Sequence, residues 1–466
     1  MQGDFSRVTF DPSQRFSAVL SQQGRVQLDS EINEQTAILL HYVRTLAADL
    51  LGPAAFPPGA GGHSVGGFCV DTFDGDNFTV TPGRIYVDGI LCECDGTDYW
   101  SQSHGFLDRE QERDRLPTSP FMVYLRVWER LVTAIEAPGI REVALGLHGP
   151  DTTVRTQVVW QLCWLPLGSE PVAPDMQTAP KFLRDRISGR FRPRALLSAR
   201  VRHPETDAEP CDLPPDSGYR GPENQLYRVE IHRGGTAETA TFKWSRENGS
   251  VTLPVRAIAG TSVMVETLGR DDRLGVEIGD IVELVDDLIV CRAASDTLEE
   301  GCPRLYTITD IDYTGNRVVL DSAPADDPYQ PTVGTDVGRH PLLRRWDHGG
   351  AKPGADPRGF DVPGAEGTQP VMEDAWLPLE EGLEVWFEGD DERPPQYRRG
   401  DYWLIPVRVV TGDVLWPCEP DGRPQSKPPQ GVNYHYAPLA VVVPDGPHEY
   451  QMVDVRQPIP HLRNRS

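Results

Sequence analysis

Between Asp29 and Leu51 the apolar positions Ile32, Leu39, Tyr42, Val43, Leu46 and Leu50 recur at spacings of three, four and seven. That period predicts one amphipathic helix. Asp29 or Ser30 is placed to cap its start, and Gly52-Pro53 stops it. Ala37, Ile38 and Leu40 widen the apolar face beyond a single stripe, so the helix is expected to be buried on more than one side or to pack on a partner. Ahead of it, residues 1–28 set Phe5, Phe10, Phe16, Val19, Leu20, Val26 and Leu28 among polar residues with no regular period. This reads as a semi-extended arm with apolar anchors. A Gly/Pro loop over 53–67 follows the helix.

From Phe68 onward the period shortens to two, and turn residues cut the chain into strands. Strand, turn at Pro82-Gly83, strand and turn at Asp88-Gly89 follow in order. Residues 121–135 alternate Met122, Tyr124, Arg126 and Trp128 against Val123, Leu125 and Val127, and 153–165 is the expected partner strand. Four prolines make 166–180 a linker. Strands over 226–231, 240–244, 250–257 and 262–267, continued by 279–285, 305–313 and 317–321, predict a small barrel or sandwich, with Thr314-Gly315-Asn316 as a hairpin turn. Residues 326–370 read as a long Gly/Pro/Asp loop holding one compact cluster, 342–348. Further strands fall at 383–387, 401–410 and 439–443. The expected fold is therefore mainly β: several small sandwich or barrel domains preceded by an extended arm and one long N-terminal α-helix. The expected segments are 1–60 for docking or oligomerisation, 61–165 as a β domain, 166–225 as linker and mixed segment, 226–325 as barrel or sandwich, 326–370 as the loop and 371–466 as a C-terminal β segment.

The chain has 466 residues, enough for two to four domains. Its 70 acidic residues outnumber 45 basic ones, for a net charge of −25. Duplex nucleic acid needs a basic face, and an anionic membrane attracts one too; no cluster of Lys and Arg supplies it. Membrane insertion is not expected either, because no apolar run approaches the ~20 residues of a spanning helix. The polar, acidic start has no basic and apolar leader pattern, which predicts synthesis and assembly in the cytoplasm. Lysine occurs only at Lys181, Lys243, Lys352 and Lys427. The eight cysteines (Cys69, Cys92, Cys94, Cys163, Cys211, Cys291, Cys302 and Cys418) are sparse, which fits reduced thiols. Cys92 and Cys94 would share one face of a strand as small buried hydrophobes.

Catalytic patterns are missing. There is no Gly-x-Ser-x-Gly elbow, P-loop, His-Glu-x-x-His or dinucleotide fingerprint, so no enzyme activity, cofactor or metal is expected. The stretch Asp71-Thr-Phe-Asp74-Gly-Asp76-Asn77 is rich in oxygen ligands but breaks the EF-hand order, and reads as a solvated turn. Acidic pairs at Asp271-Asp272, Glu299-Glu300, Glu380-Glu381 and Asp390-Asp391-Glu392 read as exposed turns, and His232 and His435 as strand residues. The tryptophans lie mostly in or beside strands: buried they are core, exposed they could stack on sugars.

Several blocks are more specific. They are Gly3-Asp-Phe-Ser-Arg-x-Thr-Phe-Asp-Pro12, Val19-Leu-x-Gln-Gln-Gly-Arg-Val-Gln-Leu-Asp29 and Asn33-Glu-Gln35 at the start. Thr81-Pro-Gly-x-x-Tyr-Val-Asp-Gly89, Val127-Trp-Glu-Arg130, Ala240-Thr-Phe-Lys-Trp-Ser-Arg-x-Asn-Gly249, Tyr397-Arg-x-Gly-Asp-Tyr-Trp-Leu-Ile-Pro406 and His435-Tyr-Ala-Pro-Leu439 follow. Over nearly its full length the chain resembles an uncharacterised-domain family encoded among the structural genes of extracellular contractile injection systems, which are phage-tail-like particles. It departs from that family's pattern at Val8 and Ser30-Glu31-Ile32. The resemblance implies a structural subunit of such a particle, at the baseplate or on a peripheral or fibre-attachment appendage, whose partners are the other subunits and further copies of itself, in a particle that can be released. Residues expected to dock partners are Phe5, Phe10, Phe16, Leu20, Arg25, Val26, Leu28, Asp29, Ile38, Leu39, Tyr42 and Val43. A surface- or carbohydrate-binding module of the particle is the alternative, and a cell-envelope hydrolase a more distant one. Exposure of Trp386, Trp403 and Trp416 would favour the module.

Overall fold

The computed structural model describes residues 2–59, 65–146, 150–168, 174–188, 195–202, 218–269, 271, 273–292, 302–348, 368–390, 394–446 and 449–459. Cys211, Gly149, Lys352, Asp272, Glu299, Glu300, Asp391 and Glu392, with 60–64 of the Gly/Pro loop and 349–367 of the long loop, lie outside them. The chain is mainly β, with several small sheets and a long helix near the N-terminus. It divides into two units: Thr9–Arg192 with Asn433–Ser466, and Met1–Val8 with Pro193–Val432. The stretch 371–466 is thus shared between units. The reason lies in strand pairing across the sequence, which a local pattern does not reveal.

In the Thr9–Arg192/Asn433–Ser466 unit, Phe121–Val132 pairs antiparallel with Arg155–Pro166 along its whole length, from Phe121 opposite Pro166 to Val132 opposite Arg155. Its other edge takes His435–Gly446, which in turn pairs with Glu449–Asp454. Every residue from Phe121 to Trp128 is buried. Successive side chains of a strand point to opposite faces, so both faces of this sheet are covered. Phe121, Val123, Leu125 and Val127 join a core with Phe68, Phe78 and Ile85. Met122 and Tyr124 pack with Leu183 and Ile187 of the helix Ala179–Ser188. The helix begins at Ala179, so it takes only the last two residues of the linker expected over 166–180 and lies within the mixed segment expected over 166–225. Pro180 is accommodated there because the first turn of a helix has no need of its missing N–H.

Two small antiparallel sheets complete that first core: Ala54–Ala55 with Gly83–Val87 and Ile90–Cys94, and Val70–Phe73 with Phe78–Val80 and Thr97–Asp98. Asp88-Gly89 forms a two-residue hairpin turn with both φ values positive, as the right-handed strand twist requires. Ile90, Cys92 and Cys94 face inward together, and burial pushes the Cys92 thiol up to about 12. Among the described residues no disulfide links the cysteines. Arg456 is buried over the Phe56 ring, 4.2 Å away, and donates to the carbonyls of Val65 and Gly67.

The other unit holds a closed barrel of six strands, in the order Thr252–Ala259, Ser262–Val265, Arg317–Leu320, Leu305–Asp312, Ile281–Val285 and Leu342–Trp346, the last pairing back to the first. The closing strand comes from the stretch read as a long loop, where Leu-Leu-Arg-Arg-Trp is too short to display a period. The strands expected at 226–231 and 240–244 lie elsewhere. As Gln225–Arg233 and Thr241–Ser245 they sit in a five-stranded sheet with Gln369–Pro370, Tyr402–Arg408 and Asp413–Val414. A three-stranded sheet of Trp376–Pro378, Leu383–Phe387 and Leu197–Val201 packs on it through Leu197, Val229, Phe242, Phe387 and Trp403.

Candidate docking surface

The long helix runs Asp29–Leu51, as its period predicts. Its cap differs from expectation. Leu28 is the N-cap and makes no side-chain cap bond, while Asp29 is the first helical residue and Glu31 accepts a 3.2 Å hydrogen bond from the Leu28 N–H. Both carboxylates lie in the first turn, where the helix dipole favours negative charge. At the other end Gly52 has φ +79° and donates to Ala48 O at 2.8 Å, closing the helix before Pro53.

One side of the helix is fixed to its own unit. Ser30 and Ile38 are each 1% exposed. Arg44 makes a two-pronged ion pair with Glu129, both contacts 2.8 Å. Gly89 lies so close that a Cβ there would stand 2.2 Å from Arg44 O. The arm covers a second strip. Thr9 donates to Glu34 at 2.6 Å, the Phe10 ring lies 5.7 Å from His41, and the Val19 N–H donates to Gln35 Oε1 at 2.7 Å. Phe16 and Tyr42 line a small groove with Phe10, Arg15, Glu34 and His41.

The remaining face is open to solvent. Ile32, Leu39, Tyr42, Val43, Leu46 and Leu50 are between 54% and 70% exposed. On the arm, Leu20 and Val26 are more than four-fifths exposed, and Phe16, Arg25, Leu28 and Asp29 are exposed with them. The anticipated docking residues are thus mostly outward, with three exceptions. Ile38 points into the chain's own body, because at ~100° per residue it lies away from the Leu39–Val43 stripe. Phe10 is half-buried against His41. Phe5 is half-buried and belongs to the other unit, where Gly3 O accepts from Asn248 Nδ2 at 2.9 Å and Ser6 O from Arg408.

That other unit contains a feature the sequence reading passed over. Lys243 is 2% exposed and its Nζ lies 2.7 Å from Glu283 Oε2, 3.3 Å from Glu230 Oε1 and 4.2 Å from the Trp346 ring centre. Arg228 Nε pairs with Glu230 at 2.5 Å, and Trp346 Nε1 donates to Glu283 at 2.9 Å. Burial pushes both carboxyls up, but the cations outweigh it. Arg228 and Lys243 hold Glu230 below its ordinary range, and Lys243 with Arg344 brings Glu283 to about 2. His232 is buried beside them with neither ring nitrogen hydrogen-bonded, and burial together with Lys243 keeps it neutral. The cations and carboxylates neutralise one another, which is the arrangement of an internal brace. The available signal was a charged residue set between two apolar neighbours in each of two strands: Glu230 between Val229 and Ile231, and Lys243 between Phe242 and Trp244.

None of the ten tryptophans is exposed; Trp403 is buried and Trp386 and Trp416 are half-buried. Among the described residues no group of three or more His, Cys, Asp and Glu side chains is arranged to hold a metal, and no helix is long and apolar enough to cross a membrane.

The chain is thus a mainly β, two-unit protein whose distinctive surface is an apolar helix. It belongs to a family of unknown function, DUF6519, whose model matches residues 1–190 and 175–456. No curated protein and no solved structure matches it.

Proposed function

We propose that the protein is a non-enzymatic structural subunit of a phage-tail-like contractile injection particle, seated at the baseplate or on a peripheral appendage. The observation that carries the reading is the open face of the Asp29–Leu51 helix, six large apolar side chains more than half exposed. Leaving such a face in water forgoes several kcal/mol at ~25 cal/mol per Å², and patches of this kind mark interaction sites. The resemblance of its sequence blocks to those of a family encoded with contractile particles suggests the setting. Burial of Trp403 and half-burial of Trp386 and Trp416 favour assembly over a sugar-stacking platform. Synthesis and assembly in the cytoplasm, followed by release within the particle, go with this role.

The test is co-expression of the tagged chain with a complete particle gene set and separation on a density gradient. The chain should co-sediment with intact particles and appear in their mass spectra. A chain that stays at the top of the gradient while particles form without it would overturn the proposal.

A further inference from the structure

We infer that the open helix face is taken by the same helix of a second copy of this chain, as a parallel two-stranded coiled coil. This deepens the assembly reading and rests on it for the outward role of the helix. The first ground is spacing. Ile32, Thr36, Leu39, Val43, Leu46 and Leu50 follow one another at intervals of four, three, four, three and four, and all six are exposed. That alternation is the seam of a left-handed coiled coil, with Thr36, Val43 and Leu50 at a and Ile32, Leu39 and Leu46 at d. Over the central layers a is β-branched and d is leucine, the combination that suits two parallel strands.

The second ground is how the helix is held. Ser30, Ile38 and Arg44, which fix it to its own unit, all fall at b and c. Glu34 and His41, which meet the arm, fall at f. Gln35 at g, which accepts from the Val19 N–H, flanks the seam, and the other tethers lie away from it. The third ground is charge. The chain carries −25, yet the positions flanking the seam are Asn33, Gln35, Leu40, Tyr42, Ala47 and Asp49, with a single charge among them. Two identical helices can then face each other with little repulsion, whereas an oppositely charged partner would find nothing to pair with. The fourth is extent. Ile32, Leu39, Leu40, Tyr42, Val43, Leu46 and Leu50 are each 40% or more exposed along the whole helix, a continuous apolar strip of the kind that marks an interface.

Sedimentation velocity of the full chain from about 1 to 100 µM should show a reversible dimer. The double variant V43E/L46E changes only exposed positions, so circular dichroism and melting should match wild type. Its dimer dissociation constant should rise at least ~100-fold, since carboxylates would have to enter the seam. Under mild oxidation T36C should form an interchain disulfide that wild type does not. A wild-type monomer at 100 µM, a double variant that dimerises as tightly, or a dimer whose T36C form fails to cross-link would each overturn the inference. A wild-type monomer that still enters particles sinks the self-pairing alone; a dimer never found in particles sinks the particle reading alone.

Discussion

Replacing Lys243 by Met isolates the brace in the Met1–Val8/Pro193–Val432 unit. Methionine keeps the unbranched stem beside Trp346 and removes the ammonium. Glu230 would retain Arg228 at 2.5 Å, and the Gln2 amide at 3.3 Å. Glu283 would lose its 2.7 Å cation and retain the Trp346 N–H. Both carboxylates are more than 90% buried, and breaking such a pair from one side costs about 3–5 kcal/mol. Adding Glu283→Gln to Lys243→Met removes the stranded charge, so the double variant should be more stable than Lys243→Met alone by roughly 1–2 kcal/mol. The pH dependence carries the same sign. Glu283 sits near 2 in the folded chain and near 4.5 unfolded, so its contribution is complete above 4.5 and is lost as pH falls toward 2. Lys243→Met should flatten that acid limb. Equilibrium urea unfolding followed by tryptophan fluorescence at pH 7 and pH 4 measures both effects. A cost under ~1 kcal/mol for Lys243→Met, or strict additivity of the two substitutions, would refute the brace.

Burial lifts the Asp401 carboxyl to about 7, with one oxygen unbonded. Folding then binds a proton and this group's effect worsens as pH rises from 4 to 7; Asp401→Asn should gain about 2–3 kcal/mol on wild type between pH 5 and 8, and parallel stability profiles would contradict it. Gly89→Ala should cost about 1–3 kcal/mol and speed amide exchange over residues 38–48, since φ is +79° and the new methyl meets Arg44 O; unchanged exchange would show that the helix does not need that contact.

What the sequence disclosed follows the range of the interactions involved. The helix Asp29–Leu51 was visible because its period, Gly52 and Pro53 are all local. The strands Phe121–Val132 and Arg155–Pro166 were visible because both are long and close in sequence. The pairing of Phe121–Val132 with His435–Gly446 had no local trace, and neither did the closure of the barrel by Leu342–Trp346. For the docking face the stripe was legible, but the division into seam and tether was not. Nothing near Ile38 announces that it turns inward, or near Arg44 that Glu129 awaits it. The Lys243 brace was partly legible, since a lysine between Phe242 and Trp244 in a chain with four lysines is a misfit that asks for buried partners.

The placement of His435–Gly446 against Phe121–Val132 sets a timetable for synthesis. The ribosome delivers about 300 residues between the two strands, an interval of roughly 15–60 s at ~5–20 residues per second. Through that time Phe121–Val132 and Arg155–Pro166 exist as a hairpin with one bare edge, the sort of edge that recruits strands from other nascent chains. The Pro193–Val432 stretch and its N-terminal strap Met1–Val8 are all available before the last strand leaves the exit tunnel, so that unit can complete its core first. Emergence of His435–Gly446 is then the event that seals the older half. A premature stop inside His435–Gly446 would remove part of the strand that covers the edge, and should leave a protein whose Pro193–Val432 unit is sound and whose older one aggregates.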